Sequence, residues 1–267
     1  MSIVPVRSQP SDRSEQTTQL LFGDSYQVLD HSPDKKWLYI ENDFDAYRGW
    51  IDAGQFRPVS ERYRQDLLAE PHPLSGDLVA CLNWGKRHFP ILLGSVLPFY
   101  QDDRIRMEEE IIRVKLETPP TLQIRLMDAA RKYWLAPYQW GGKSPFGLDC
   151  SGFIQQVFRM AACSLPRDAY QQAEKGEAVP SVAQSRVADL AFFAREGRIV
   201  HVGLILDDLS WQHYHPDLDL QAHERPIMHA LDQVRVDKLD KEGIWHLGRK
   251  QYTHHLLTIR RLKEEFF

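Results

Sequence analysis

The sequence predicts an α+β protein built from three modules, and three observations carry that reading. Short strand-like runs broken by turn signals fill the first 118 residues, Pro119-Pro120 ends them, and beyond that point a helical period gives way to a further set of strands. At 267 residues the chain exceeds the about 100–200 residues of one average domain. We place the modules at 1–58, 59–118 and 119–267.

In the first module, runs at 19–22, 25–30, 37–42 and 49–52 are separated by Phe22-Gly23-Asp24 and Ser32-Pro33-Asp34, the spacing of a small β-barrel. The second module is again β-rich, with runs at 77–82, 90–93, 95–101 and 104–107 and a final stretch at 113–120. From Thr121, Leu122, Ile124, Leu126, Met127 and Ala130 give a helical spacing. A glycine-rich loop follows, and then a helix from Cys150 whose Phe153, Ile154, Val157, Phe158 and Ala161 share one buried stripe. Two apolar strands, 190–194 and 199–206, are joined by the turn Arg195-Glu196-Gly197-Arg198. Residues 207–226 are polar, His-rich and without a period, which reads as an inserted loop, and a run at 255–262 is placed to close the sheet.

Composition excludes several classes. Hydrophobic residues at 43% and charged residues at 26% are those of an ordinary globular chain, and a net charge of -4 argues against nucleic acid as a partner. Three cysteines at wide spacing form neither a disulfide framework nor a zinc ladder, so no metal or other cofactor is expected. Cys81 and Cys163 read as buried and inert. The chain has no run of about 18 apolar residues and no basic-then-apolar leader, so no membrane partner and a cytoplasmic location are expected.

Cys150 carries the chemistry. A thiol at a helix start meets unpaired backbone N–H groups and the positive end of the helix dipole, both of which favour the attacking thiolate. A nucleophile also needs a base, and the base needs an orienting partner. His201, inside Ile199-Val200-His201-Val202-Gly203, and His229, inside Ile227-Met228-His229-Ala230, are placed for those parts, although a strand histidine is more often plain core. Loop residues His213, His215 and His223 are rivals for the third position, and Trp211–His215 is a weak metal candidate.

Four segments in order, Tyr138-Gln139-Trp140-Gly141-Gly142, Leu148-Asp149-Cys150-Ser151-Gly152-Phe153, Asp189-Leu190-Ala191-Phe192-Phe193 and His201-Val202-Gly203-Leu204, resemble the NlpC-type cysteine peptidases that cut bacterial cell-wall peptides. The resemblance implies a papain-like α+β core with Cys150 as nucleophile, His201 as base, His229 as orienting residue and Tyr138 in the oxyanion environment. Asp149 and Ser151, flanking the nucleophile, are expected beside the substrate. Ala188 departs from the glycine common before the Asp-Leu pair, and the interval from His201 to His229 is longer than usual.

Residues 4–8, residues 14–24 and Tyr47-Arg48-Gly49-Trp50-Ile51 resemble a bacterial SH3-like domain. Two such barrels before an NlpC-type domain are similar to the γ-D-glutamyl-L-diamino acid endopeptidases, whose murein peptide substrates carry a free N-terminal L-Ala. That likeness implies that Glu15 and Asp168 bind the amine and that Tyr47 walls its pocket. Two carboxylates would offset the hydration lost by a buried ammonium. The plainer alternatives are a solvated Glu15, an Asp168 that merely caps the following helix, and a Tyr47 that packs in the barrel. A murein-binding protein with a decayed peptidase domain, or an acyltransferase or amidase on the same core, are the rival functions.

Overall fold

The computed structural model describes residues 1–262. The first barrel is a five-stranded antiparallel sheet of β1 (Ile3–Arg7), β2 (Gln16–Leu21), β3 (Tyr26–His31), β4 (Trp37–Asn42) and β5 (Arg48–Asp52), in the order β2-β1-β5-β4-β3. Alternate residues Val4, Val6, Leu20, Leu38, Ile40 and Ile51 fill it. β1 was not anticipated as a strand. Pro5 breaks its signal, and the strand forms because Val4 and Val6 point into the barrel.

A helix, α1 (Glu61–Ala69), precedes the second sheet and was likewise not anticipated. Its signals are Ser60, whose hydroxyl accepts the Tyr63 N–H as an N-cap, and the buried pair Tyr63 and Leu67 one turn apart. The second sheet, ordered β7-β6-β9-β8, comprises β6 (Val79–Trp84), β7 (Arg87–Leu92), β8 (Arg104–Met107) and β9 (Glu110–Lys115). Residues 95–101, expected to be a strand, fold as turns. Pro98 lacks an N–H, Gly94 and Phe99 take positive φ, and only Val96 and Gln101 make isolated bridges.

In the third module α2 (Leu126–Lys132) and α3 (Cys150–Met160) pack together, with the short hairpin β10 (Lys143–Ser144) and β11 (Gly147–Leu148) between them. After α4 (Ala169–Gln172) come β12 (Glu177–Val179), β13 (Leu190–Arg195) and β14 (Arg198–Ile205). Next are α5 (Asp208–Tyr214), β15 (Arg225–Leu231), β16 (Gln233–Leu239), β17 (Gly243–His246) and β18 (Gln251–Arg261). The expected loop at 207–226 therefore contains a helical turn, capped by Asp207 and anchored by buried Trp211.

The last strand does close the sheet. β18 pairs with β13 on one side and β17 on the other, so six strands form a barrel with β12 outside. Leu190, Phe192, Val202 and Leu204 point to α3, while Ala191, Phe193, Ile205 and Ile227 fill the barrel. This two-sided burial is why β13 and β14 read as continuous apolar runs.

Candidate active site

The first turn of α3 is fixed before any substrate arrives. Asp149 is its N-cap, with Oδ1 accepting the Gly152 N–H at 2.7 Å, and the same carboxylate forks onto the buried Arg167 guanidinium at 3.0 and 2.6 Å. Asp149 Oδ2 also accepts the Gly141 N–H at 2.8 Å, which ties the glycine loop to the helix start. A Cβ on Gly152 would lie 2.3 Å from the Gly142 carbonyl oxygen, so the loop and helix approach at a distance only glycine permits.

Cys150 is buried, and its sulfur lies against the backbone N–H groups of Ser151 and Val202, the latter adjoining His201. Burial and the Asp149 carboxylate push the thiol up to about 12, against those N–H groups and Arg167. The helix start alone does not produce a resting thiolate. Burial, with the neighbouring His254 and His229, holds His201 well below the ordinary imidazole range. Burial thus favours the neutral form of both the Cys150 thiol and the His201 imidazole.

His201 Nε2 lies 2.8 Å from His229 Nδ1, and His229 Nε2 lies 3.1 Å from Asp237 Oδ2. His229 thus reaches His201, and it is fully buried. His254, on β18, stacks on His201 with centroids 4.0 Å apart. Ring nitrogens of His201, His229 and His254 fall within 4.8 Å of one another. Two nitrogens on one tetrahedral zinc would stand about 3.4 Å apart, from Zn–N bonds of about 2.0–2.1 Å, so the 2.8 Å contact is the spacing of a shared proton. Among the loop histidines, His215 Nε2 meets the Val236 carbonyl at 2.9 Å.

Tyr138 is partly exposed, and burial together with nearby Cys150 and Asp149 raises its phenol, which stays a neutral donor. The carboxylate of Asp168 stands at the N-cap position of α4 but accepts no helix N–H. It lies instead near Tyr47 of the first barrel and near Arg167, both of which favour its charged form. Burial leaves Asp168 raised above the ordinary carboxylate range despite both partners. Glu15 is exposed at the foot of β2 and accepts the Trp140 indole N–H at 2.6 Å. Glu15, Tyr47 and Asp168 therefore border the same seam between barrel and peptidase module.

Asp149 and Ser151, expected beside the substrate, have their side chains in the Arg167 network. Ser151 Oγ donates to Asp149 and accepts from Arg167 at 2.9 Å, leaving only its backbone N–H at the sulfur. Arg167, Trp140, Asp237 and His254 were missed. Trp140 lies within the segment Tyr138–Gly142 and Arg167 adjoins Asp168, whereas Asp237 and His254 lie in half-polar strands with no local motif.

An N-capped cysteine helix against a closed β-barrel that carries a buried histidine pair fits a cysteine peptidase preceded by an SH3-like β-rich region. Residues 135–261 match the model of the NlpC/P60 family, and residues 6–56 match that of the bacterial dipeptidyl-peptidase SH3 domain. The chain belongs to the NlpC/P60 family. It is 51% identical over 207 residues to the γ-D-glutamyl-L-lysine dipeptidyl-peptidase of Bacillus subtilis, covering 70% of this chain and 68% of the relative. The similarly named Bacillus cereus protein is 25% identical over 225 residues, covering 73% and 66%. The chain thus spans about two thirds of these relatives' length. The crystal structure of an NlpC/P60 family protein from Bacillus cereus superposes with a TM-score of 0.76 at 19% identity, covering 97% of both chains, and shares the fold.

Proposed function

We propose that the chain hydrolyses the γ-D-Glu–L-diamino acid bond of short murein peptides that carry a free N-terminal L-Ala. One observation supports this reading above the rest: Asp168 sits where a helix cap belongs yet offers its carboxylate to the seam, next to a barrel tyrosine. A helix cap has no use for Tyr47. A pocket for an ammonium does, and the names of the Bacillus relatives point the same way.

In the proposed reaction the sulfur of Cys150 attacks the γ-carbonyl carbon as His201 takes the thiol proton. The developing oxyanion meets the N–H groups at the start of α3 and the Tyr138 hydroxyl, donors of a kind worth about 10²–10³-fold each. Collapse breaks the C–N bond, His201 returns the proton to the leaving amine, and water then releases the acyl group from sulfur. Glu15 and Asp168 hold the alanine ammonium, so the first barrel limits how much peptide can precede the scissile bond.

The test is incubation with L-Ala-γ-D-Glu-L-Lys and identification of the products by mass. L-Ala-D-Glu and lysine are expected, with turnover lost in Cys150→Ala and His201→Ala. Turnover that survives Cys150→Ala, or binding without any cleavage, would overturn the reading.

A further inference from the structure

His201, His229 and Asp237 form a line that ends on a charge. Asp237, on β16, places Oδ2 3.1 Å from His229 Nε2, and His229 Nδ1 is 2.8 Å from His201 Nε2. All three side chains are buried, so no bulk water can substitute for a missing donor or acceptor. We propose that Asp237 is a positioning residue that sets the tautomer of both imidazoles, leaving Nδ1 of His201 as the nitrogen that receives the Cys150 proton; this rests on the peptidase reading above.

The argument is one of donors and acceptors. Asp237 Oδ2 accepts from Arg235 Nε at 2.5 Å, and Oδ1 accepts from the second Arg235 nitrogen and from the Leu247 N–H, each at 3.0 Å. These donors, with His229, hold the carboxyl well below its usual range although burial alone would raise it, so the group can only accept. His229 must then carry its proton on Nε2 and present a lone pair at Nδ1. That lone pair requires the His201 proton on Nε2, and a neutral imidazole has only one. Nδ1 of His201 is thereby left as the base. The opposite assignment would set a lone pair of His229 against a carboxylate lone pair.

A second effect follows when the thiol proton arrives. The imidazolium formed at His201 feels the Asp237 charge through His229, a gain absent from the resting neutral pair and present in the transition state. The other titratable or charged groups facing this line are His254 on β18, Asp232 in the β15–β16 turn, Arg235 on β16 and His246 on β17. Arg235 is already paired to Asp237, so removing the carboxylate leaves a net positive neighbour.

Asp237→Asn keeps the shape and removes the charge. The expected result is a fall in kcat on the order of 10- to 100-fold, a share of what general acid–base catalysis provides, with KM changed by no more than about twofold. The acid limb of kcat/KM should move to lower pH, because losing a negative neighbour disfavours the imidazolium. Asp237→Glu, which keeps the charge, should recover part of kcat. A folded Asp237→Asn protein with wild-type kcat and an unmoved acid limb would overturn the proposal. Nitrogen NMR of the unsubstituted protein decides the matter even if the variant does not fold: neutral His201 and His229 should both carry the proton on Nε2, and a neutral His201 protonated on Nδ1 contradicts it. Activity surviving Cys150→Ala would refute the peptidase reading without changing that tautomer result.

Discussion

Asp168 and Cys150 are both acids that burial makes weaker, and each has a different consequence for activity. For Asp168 the raised carboxyl means that the unliganded pocket loses its negative charge at a higher pH than an ordinary aspartate near 3.8 would. An arriving ammonium needs that charge, so KM for free-amine peptides should rise as pH falls through the raised value, while Asp168→Asn should show a high KM that no longer varies in that range. Steady-state kinetics between pH 4 and 8 reads both; an unchanged KM in the variant would remove Asp168 from the pocket. For the catalytic pair, His201 lies well below the ordinary imidazole range, and kcat should therefore hold its plateau to a pH below 6.5. An acid limb above 6.5 would show a resting imidazole more basic than its surroundings allow. The sequence pointed to Cys150 and His201 because each sits in a short local motif. It did not reveal Asp237 or His254, which become neighbours only through the pairing of β15 with β16 and of β13 with β18.

The cysteine helix was legible as an element because its apolar stripe, its Asp149 cap and its glycine neighbours all lie between Gly141 and Ala161. Gly152 shows how little slack the element has: adding a methyl would drive the helix start away from the Gly142 carbonyl. Gly152→Ala is expected to cut kcat/KM by more than about tenfold through displacement of sulfur and oxyanion donors, a shift of the kind that costs up to about 10²-fold per ångström. Its fold should survive, as circular dichroism and a kinetic trace would show together; full activity would mean that the contact yields without cost. Strands were legible where two-sided burial makes apolar runs, as in β13 and β14. They were not where the strand is half-polar, as in β16 with Arg235, Asp237 and Lys238 alternating with Val234, Val236 and Leu239. The helical turn α5 was hidden for a related reason, since its only buried anchors are Ser210 and Trp211.

At the scale of the whole molecule, the first barrel is bonded to the peptidase module rather than tethered to it. Arg159 of α3 pairs with Asp24 at 2.5 Å, Gln155 donates to Asp45 at 2.8 Å, and Arg167 donates to Thr18 at 2.9 Å. Burial alone would raise Asp24, but Arg159 and Lys143 win and the carboxyl is lowered. Its stabilising contribution is therefore complete above the ordinary value near 3.8 and is lost as pH falls through the lower folded value. Asp24→Asn strands a buried guanidinium and should cost about 3–5 kcal/mol in urea unfolding at pH 7. A loss below about 1 kcal/mol would mean the pair is solvated and the modules only touch. No sequence pattern foretold this seam, because each of its bonds joins residues more than a hundred positions apart.

That seam gives the substrate reading its sharpest test, since Glu15 and Tyr47 come from the barrel and Asp168 from the peptidase module. The decisive measurement is the ratio of kcat/KM for L-Ala-γ-D-Glu-L-Lys to that for its N-acetylated form, in the wild-type protein and in Glu15→Gln and Asp168→Asn. The expected result is a preference for the free amine of at least about 10²-fold, the size of one charge-assisted contact of about 1.5–3 kcal/mol on each carboxylate, that shrinks in both variants. Equal turnover of the free and acetylated peptides by the wild-type protein would contradict it.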